Sequence, residues 1–165
     1  MLILGIDPGL ATIGFGFVEK TGQKYRAVEY GAILTQPHRM IESRLSEIYD
    51  EMSELFRRHR PDCMAVEELF FNNNSKTAID VAMARGVILL AANKAGVDIY
   101  EYTPLEVKSS VAGYGRAEKT QVQYMVRLML GLNETPRPDD TADALALALC
   151  HGTRITNYKV QGGAR

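Results

Sequence analysis

The chain opens on an apolar run, Met1-Leu2-Ile3-Leu4-Gly5-Ile6, that ends in Asp7 and then Pro8-Gly9. Residues 2–8 and 12–19 are both rich in Ile, Leu, Val and Phe, with a short glycine-containing turn between them, which predicts a hairpin. A third strand is expected over 25–35, after the turn at Thr21-Gly22. From about 40 to 59 the period changes. Leu45, Ile48, Met52 and Leu55 recur at helical spacing, with Glu47, Asp50, Glu51 and Arg58 opposite, and Pro61 should stop the helix. Residues 62–69 read as a short buried strand, followed by a loop at Asn72-Asn73-Asn74-Ser75.

The segment 76–95 is apolar nearly all round and rich in small residues, among them Ala78, Ala82, Ala84, Gly86, Ala91 and Ala92. A helix of that kind is buried on more than one side, either within its own domain or against a second subunit. A strand over 97–103, a short helix over 104–112 begun by Pro104, and a helix over 117–130 follow. The Gly/Pro-containing stretch 131–138 then leads to a last helix over 139–152. The order β-β-β-α-β-α-β-α-α-α predicts an α/β fold, one mixed sheet with helices on both faces. We expect a single domain over 1–152 and a polar, flexible tail over 153–165.

This pattern places acids at the ends of apolar elements. Asp7 ends the first strand, Glu67 and Glu68 end the run Cys63-Met64-Ala65-Val66, and Asp140 and Asp143 open the run Ala144–Leu149. A carboxylate at the end of a buried strand is costly without a partner. If these ends meet, the cluster repels itself and calls for divalent cations. Asp140 and Asp143 are three apart and share a helix face. They also complement the helix dipole, with Asp139 as N-cap, and this explains them without any site. Periodicity leaves the second strand open: Glu67 shares a face with Cys63 and Ala65, Glu68 with Met64 and Val66, and both faces are apolar.

Composition narrows the chemistry. A net charge of -1 argues against a generically basic nucleic-acid binder, so contact with DNA or RNA needs a local basic face. Cys63 and Cys150 both sit in apolar runs, and no Cys/His cluster has zinc spacing, which predicts free buried thiols in a reducing cytoplasm. No signal peptide is read at the N-terminus, and the run Val87–Ala92 is too short to span a bilayer. Carboxylates without His or Cys favour magnesium or manganese over zinc. Two such ions roughly 4 Å apart can clamp a phosphodiester for hydrolysis. Sugar chemistry by a carboxylate pair is less attractive in a chain with no Trp and 8% aromatic residues.

Several segments together resemble the RuvC family of bacterial Holliday junction resolvases. They are Ile3-Leu4-Gly5-Ile6-Asp7-Pro8-Gly9, Ala65-Val66-Glu67-Glu68, Ala84-Arg85-Gly86-Val87, Ala117-Glu118-Lys119 with Gln121-Val122-Gln123, and Asp140-Thr141-Ala142-Asp143-Ala144-Leu145-Ala146. The resemblance spans about residues 1–152 in the family's order. It implies an RNase H-like fold with a mixed five-stranded sheet. It implies a homodimer formed through the helix at 76–95, acting with the RuvA and RuvB branch-migration proteins. The implied reaction is resolution of four-way DNA junctions by two symmetric nicks that leave 5'-phosphate and 3'-hydroxyl ends, in recombination and repair. The implied catalytic and metal-binding acids are Asp7, Glu67, Asp140 and Asp143, holding two Mg²⁺ ions for which Mn²⁺ can substitute. Glu67 is chosen over Glu68 because the family's acid follows the apolar pair matched by Ala65-Val66. Lys108 and Lys119 correspond to lysines near the scissile phosphate, and Phe70 to an aromatic that stacks on or wedges apart junction bases. Surface charge and core capping are the ordinary explanations of those residues. Three other readings accompany this one, the last a junction-binding protein without catalysis. The first is a different RNase H-like nuclease, such as an RNA-processing enzyme. The second is a nucleotide-binding protein of the actin/Hsp70 type, whose phosphate loop resembles Gly5–Gly9 with Thr12 and Gly14.

Overall fold

The structure is a computed structural model that describes residues 1–68 and 75–160. Its elements are β1 (Leu2–Asp7), β2 (Thr12–Thr21), β3 (Lys24–Leu34), α1 (Ile41–His59), β4 (Cys63–Glu67), α2 (Ser75–Lys94), β5 (Asp98–Tyr102), α3 (Pro104–Ala112), α4 (Lys119–Leu130) and α5 (Asp139–Val160). The expected elements are all present, with ends moved by a residue or two except in α5. The strands form one five-stranded mixed sheet in the order β3-β2-β1-β4-β5. β1 pairs antiparallel with β2 and parallel with β4, and β4 pairs parallel with β5. The two acid-bearing strands are therefore neighbours at the centre and run the same way, which brings Asp7 and Glu67 to one edge.

The sheet buries both faces, so its central strands are apolar at successive positions rather than alternating. On one face Leu4, Ile6, Met64 and Val66 pack with α1 and α2. On the other, Ile3, Cys63 and Ala65 pack with α3, α4 and α5. α1 buries Ile48, Met52, Leu55 and Phe56, spaced as the periodicity predicts for one helix face. It ends at His59, two residues before Pro61. Arg60 takes a left-handed conformation (φ 48°) and its N–H donates to the Phe56 carbonyl at 2.9 Å.

α5 lies directly on β1 and β2, across glycines. A Cβ on Gly5 would sit 1.9 Å from the Ala144 carbonyl oxygen, and one on Gly14 would sit 2.0 Å from that of Asp140. Thr141 is fully buried, and its hydroxyl donates to the Gly31 carbonyl on β3 at 3.1 Å. The start of α5 is thus tied to three strands at the sheet edge that carries Asp7.

Two expectations are corrected. α5 does not end at 152 but continues to Val160, so the residues assigned to a loose tail begin as helix. The polar turn has partners: Thr153 donates to the Leu149 carbonyl at 2.9 Å, and Arg154 pairs with Glu106 of α3 at 2.5 Å. Asp139 is the first residue of α5 rather than its cap. Residues 161–165 lie outside the described residues, as does Phe70 with the rest of 69–74. Both cysteines are free and buried, as expected. Among the described residues, no helix is long and apolar enough to cross a membrane.

Candidate active site

The candidate site is built from the ends of β1 and β4 and the starts of α4 and α5. β1 places Ile3, Gly5 and Asp7 on the α5 side of the sheet, and β4 places Cys63, Ala65 and Glu67 on the same side. The two glutamates that periodicity left open stand apart in space. Glu67 lines a cavity of about 250 Å³ together with Asp7, Asp143, Lys108 and Lys119, whereas Glu68 is exposed and continues the ladder through its N–H to Tyr102. Asp140 is half-buried one turn before Asp143. It is not in the cavity wall, although its charge reaches Asp7.

The electrostatics follow from this convergence. Asp7 is pushed up to about 8, first by burial and then by repulsion from Asp143, Glu67 and Asp140. Glu67 is raised by burial and by Asp143, and Asp143 is raised by burial against the opposing pull of Lys119. Lys119 opens α4, where Glu118 and Gln121 form a capping box, and its Nζ lies 2.9 Å from Asp143 and 3.4 Å from Asp139. Burial alone would lower the lysine, but the hydrogen bond and charge of Asp143, with Asp139, hold it above its ordinary value. Lys108 lies on α3, whose start is set by a capping box between Thr103 and Glu106.

With the side chains as they stand, no three His, Cys, Asp or Glu groups among the described residues converge closely enough to hold one metal ion. The Lys119 ammonium is the physical reason we assign, because it engages the Asp143 carboxylate on the cavity wall. The donor set nevertheless fits a hard divalent cation. It consists of carboxylate oxygens on three separate elements, in an open cavity with no nitrogen or sulfur ligand in its wall, and Asp7 is strongly penalised for ionising without a counter-charge.

Two contributors were not legible from residue patterns. Asp139, expected as a cap, shares Lys119 with Asp143. Thr141 fixes the helix start from a buried position, and the one available signal was a polar residue between two acids that should otherwise have been exposed.

Comparison with known proteins bears on the same residues. The family model described as Crossover junction endodeoxyribonuclease RuvC matches residues 3–151, a span that includes every acid of the site. The chain is 57% identical over 152 residues to the Crossover junction endodeoxyribonuclease RuvC of Halothermothrix orenii, covering 92% of each. It is 53% identical over 164 residues to that of Desulfitobacterium hafniense, covering 99% of each. Among solved structures it is similar to T. thermophilus RuvC in complex with Holliday junction substrate, with a TM-score of 0.89 and 42% identity over 94% of each chain. The five-stranded mixed sheet flanked by helices is thus the RNase H-like fold that the motifs implied. With a match over nearly its whole length and the acids of the strand and helix ends inside it, the chain belongs to the RuvC family of crossover junction endodeoxyribonucleases.

Proposed function

We propose that this protein is a structure-selective endonuclease that resolves four-way (Holliday) DNA junctions by metal-dependent phosphodiester hydrolysis, with Asp7, Glu67, Asp140 and Asp143 as its metal-binding and catalytic acids. The observation that carries the reading is the meeting of Asp7, Glu67 and Asp143 in one cavity beside two lysines. A protein that only bound junctions would gain nothing from acids facing phosphate. The actin/Hsp70 reading is set aside by membership in the RuvC family.

Divalent-metal dependence follows from the family. Magnesium is the ion we propose, two per site, with manganese able to substitute. When bound, such ions supply the positive charge that activates water and stabilises the leaving oxygen. The chain's own residues do the rest. The acids on β1, β4 and α5 hold the ions against a rigid sheet edge. Lys108 and Lys119 meet the phosphate and fix the register of the DNA without reading its bases. Lys119 neutralises Asp143 in the free protein and stands at the cavity wall where a phosphate oxygen would arrive. Phe70, outside the described residues, is proposed to unstack a junction base.

A homodimer is the proposed working form, and α2 supports it. Its inner face is buried by Ala84, Ile88, Ala91 and Ala92, while Ile79, Gly86 and Leu90 form an outward stripe, with Ile79 59% and Leu90 50% exposed. A Cβ on Gly86 would meet nothing within 4 Å, so a second helix has room to approach there. Two sites on a symmetric dimer match a substrate that is itself roughly two-fold, and hence two symmetric nicks leaving 5'-phosphate and 3'-hydroxyl ends. We place the protein in the cytoplasm, in recombination and repair, with RuvA and RuvB as partners.

Substrate choice tests this reading. In magnesium, a synthetic four-way junction should be nicked far faster than a linear duplex or an RNA/DNA hybrid of the same sequence. Preferential cleavage of the hybrid would favour an RNA-processing relative instead.

A second expected result concerns pH. Asp7 titrates at about 8 in the metal-free fold and near its ordinary value of 3.8 when unfolded. Between those values the folded state holds more protons, so this group's contribution makes stability fall as pH rises. A cation binds the ionised form and relieves the repulsion. Magnesium should therefore raise the melting temperature more at a pH of about 8 than at about 6. Equal increments at both would show that the acids do not share an ion.

A further inference from the structure

Arg85 lies on α2, which packs on the face of the sheet opposite the cavity. Its side chain is only 12% exposed, yet it does not itself line the cavity. One arm of its guanidinium is 2.9 Å from Glu101 Oε2 on β5, and its Nε donates to the main-chain carbonyl of Glu67 at 3.4 Å. The fork thus joins the ends of two adjacent strands, β4 and β5, at the residue whose carboxylate enters the cavity from the other side of the sheet.

Stability alone does not explain this arrangement. Glu101 is half exposed, and an ion pair to such a group contributes little. A long side chain held nearly out of water is a large ordering cost for that return. The local backbone gives a better reason. β4 ends at Glu67, and beyond it the ladder continues through the N–H of Glu68 to the Tyr102 carbonyl. The Glu67 carbonyl accepts from Arg85 Nε. A planar fork holds two acceptors in one fixed geometry, which the rotatable ammonium of a lysine does not do.

We propose that Arg85 is a positioning residue for Glu67. It clamps the last peptide of β4 from behind, so that the Glu67 carboxylate keeps one direction in the cavity when a metal ion is bound. This rests on the reading of Glu67 as a metal-binding acid. Arg85 lies outside the cavity wall, on the far face of the sheet. Its effect passes through the backbone, where displacements of about 1 Å are enough to cost ~10²-fold in rate.

The test uses the full-length protein with Arg85→Met and Arg85→Lys beside wild type, Glu101→Gln and Asp7→Asn. Melting temperature is followed against magnesium concentration without DNA. Junction cleavage is followed over the same magnesium range, and junction affinity is measured in calcium. Both Arg85 variants should need about tenfold more magnesium for half of the thermal shift and of the cleavage rate, the range expected for loss of a group that orients a metal ligand. Their junction affinity in calcium should stay within about twofold of wild type, because the guanidinium is not a phosphate contact. Glu101→Gln keeps an acceptor for the fork and should stay close to wild type. Unchanged magnesium dependence in both Arg85 variants overturns the proposal, and so does weakened junction binding with unchanged magnesium dependence. Should Arg85→Met fail to fold, Arg85→Lys alone decides by the same readouts. The underlying reading fails separately, if wild type shows no magnesium response or Asp7→Asn keeps its cleavage.

Discussion

Gly5→Ala should destabilise the protein by about 3 kcal/mol, the upper part of the range for overpacking a tight core. For a chain of this size that is a fall of roughly 6–12 °C in melting temperature. The methyl group would lie 1.9 Å from the Ala144 carbonyl oxygen and 2.9 Å from the Ala148 nitrogen. Both are backbone atoms of α5, so no side chain can rotate away, and the helix itself must lift from β1. The usual benefit of Gly→Ala, a less free unfolded chain, is only ~0.4–1 kcal/mol and does not offset that displacement. The consequence extends to the site. α5 carries Asp140 and Asp143, and β1 carries Asp7, so lifting one from the other opens the acid cluster. Thermal unfolding of Gly5→Ala, with cleavage assayed well below its transition, should show both losses. A melting temperature equal to wild type would mean that the helix is not seated on this glycine.

How much of this was readable in the chain depended on what each residue faces. The hairpin, the central strands and α1 were legible because burial imposes period 2 or 3.6 on their side chains, as with Ile48, Met52 and Leu55. The placement of Asp7 and Glu67 at one edge rests on the parallel pairing of β1 with β4, which the sequence pattern left as a condition. The same period could not choose between Glu67 and Glu68. β4 is covered on both faces, so neither alternation is polar, and only the family motif, later matched by the cavity wall, separated them. Contacts between distant segments were out of reach. Lys119 bridging Asp139 and Asp143, Arg85 behind Glu67, and the close approach of α5 to Gly5 and Gly14 depend on how the elements pack. The end of α5 was misjudged for a related reason. Gly152 stands at the expected end, but a Cβ there would lie 2.7 Å from the Tyr25 ring, so it is a packing glycine inside a continuing helix.

The second large effect is that of Asp7→Asn. Asparagine keeps the size of the side chain and removes its charge. In the metal-free protein that charge is unfavourable, since burial and three neighbouring carboxylates all oppose it. The variant should therefore fold at least as stably as wild type without magnesium, and more stably near pH 8, where wild-type Asp7 begins to ionise. What it loses is a ligand at the centre of the acid cluster. If the ions supply several kcal/mol of charge stabilisation, about 4 kcal/mol lost corresponds to a ~10³-fold slower reaction. Junction binding should persist, because it rests on phosphate contacts by basic residues elsewhere in the site. Cleavage of a synthetic four-way junction by wild type and Asp7→Asn, assayed side by side in magnesium with binding measured in calcium, is the most direct measurement. The account predicts near-equal binding with cleavage reduced ~10³-fold or more, and cleavage by Asp7→Asn within about tenfold of wild type would contradict it.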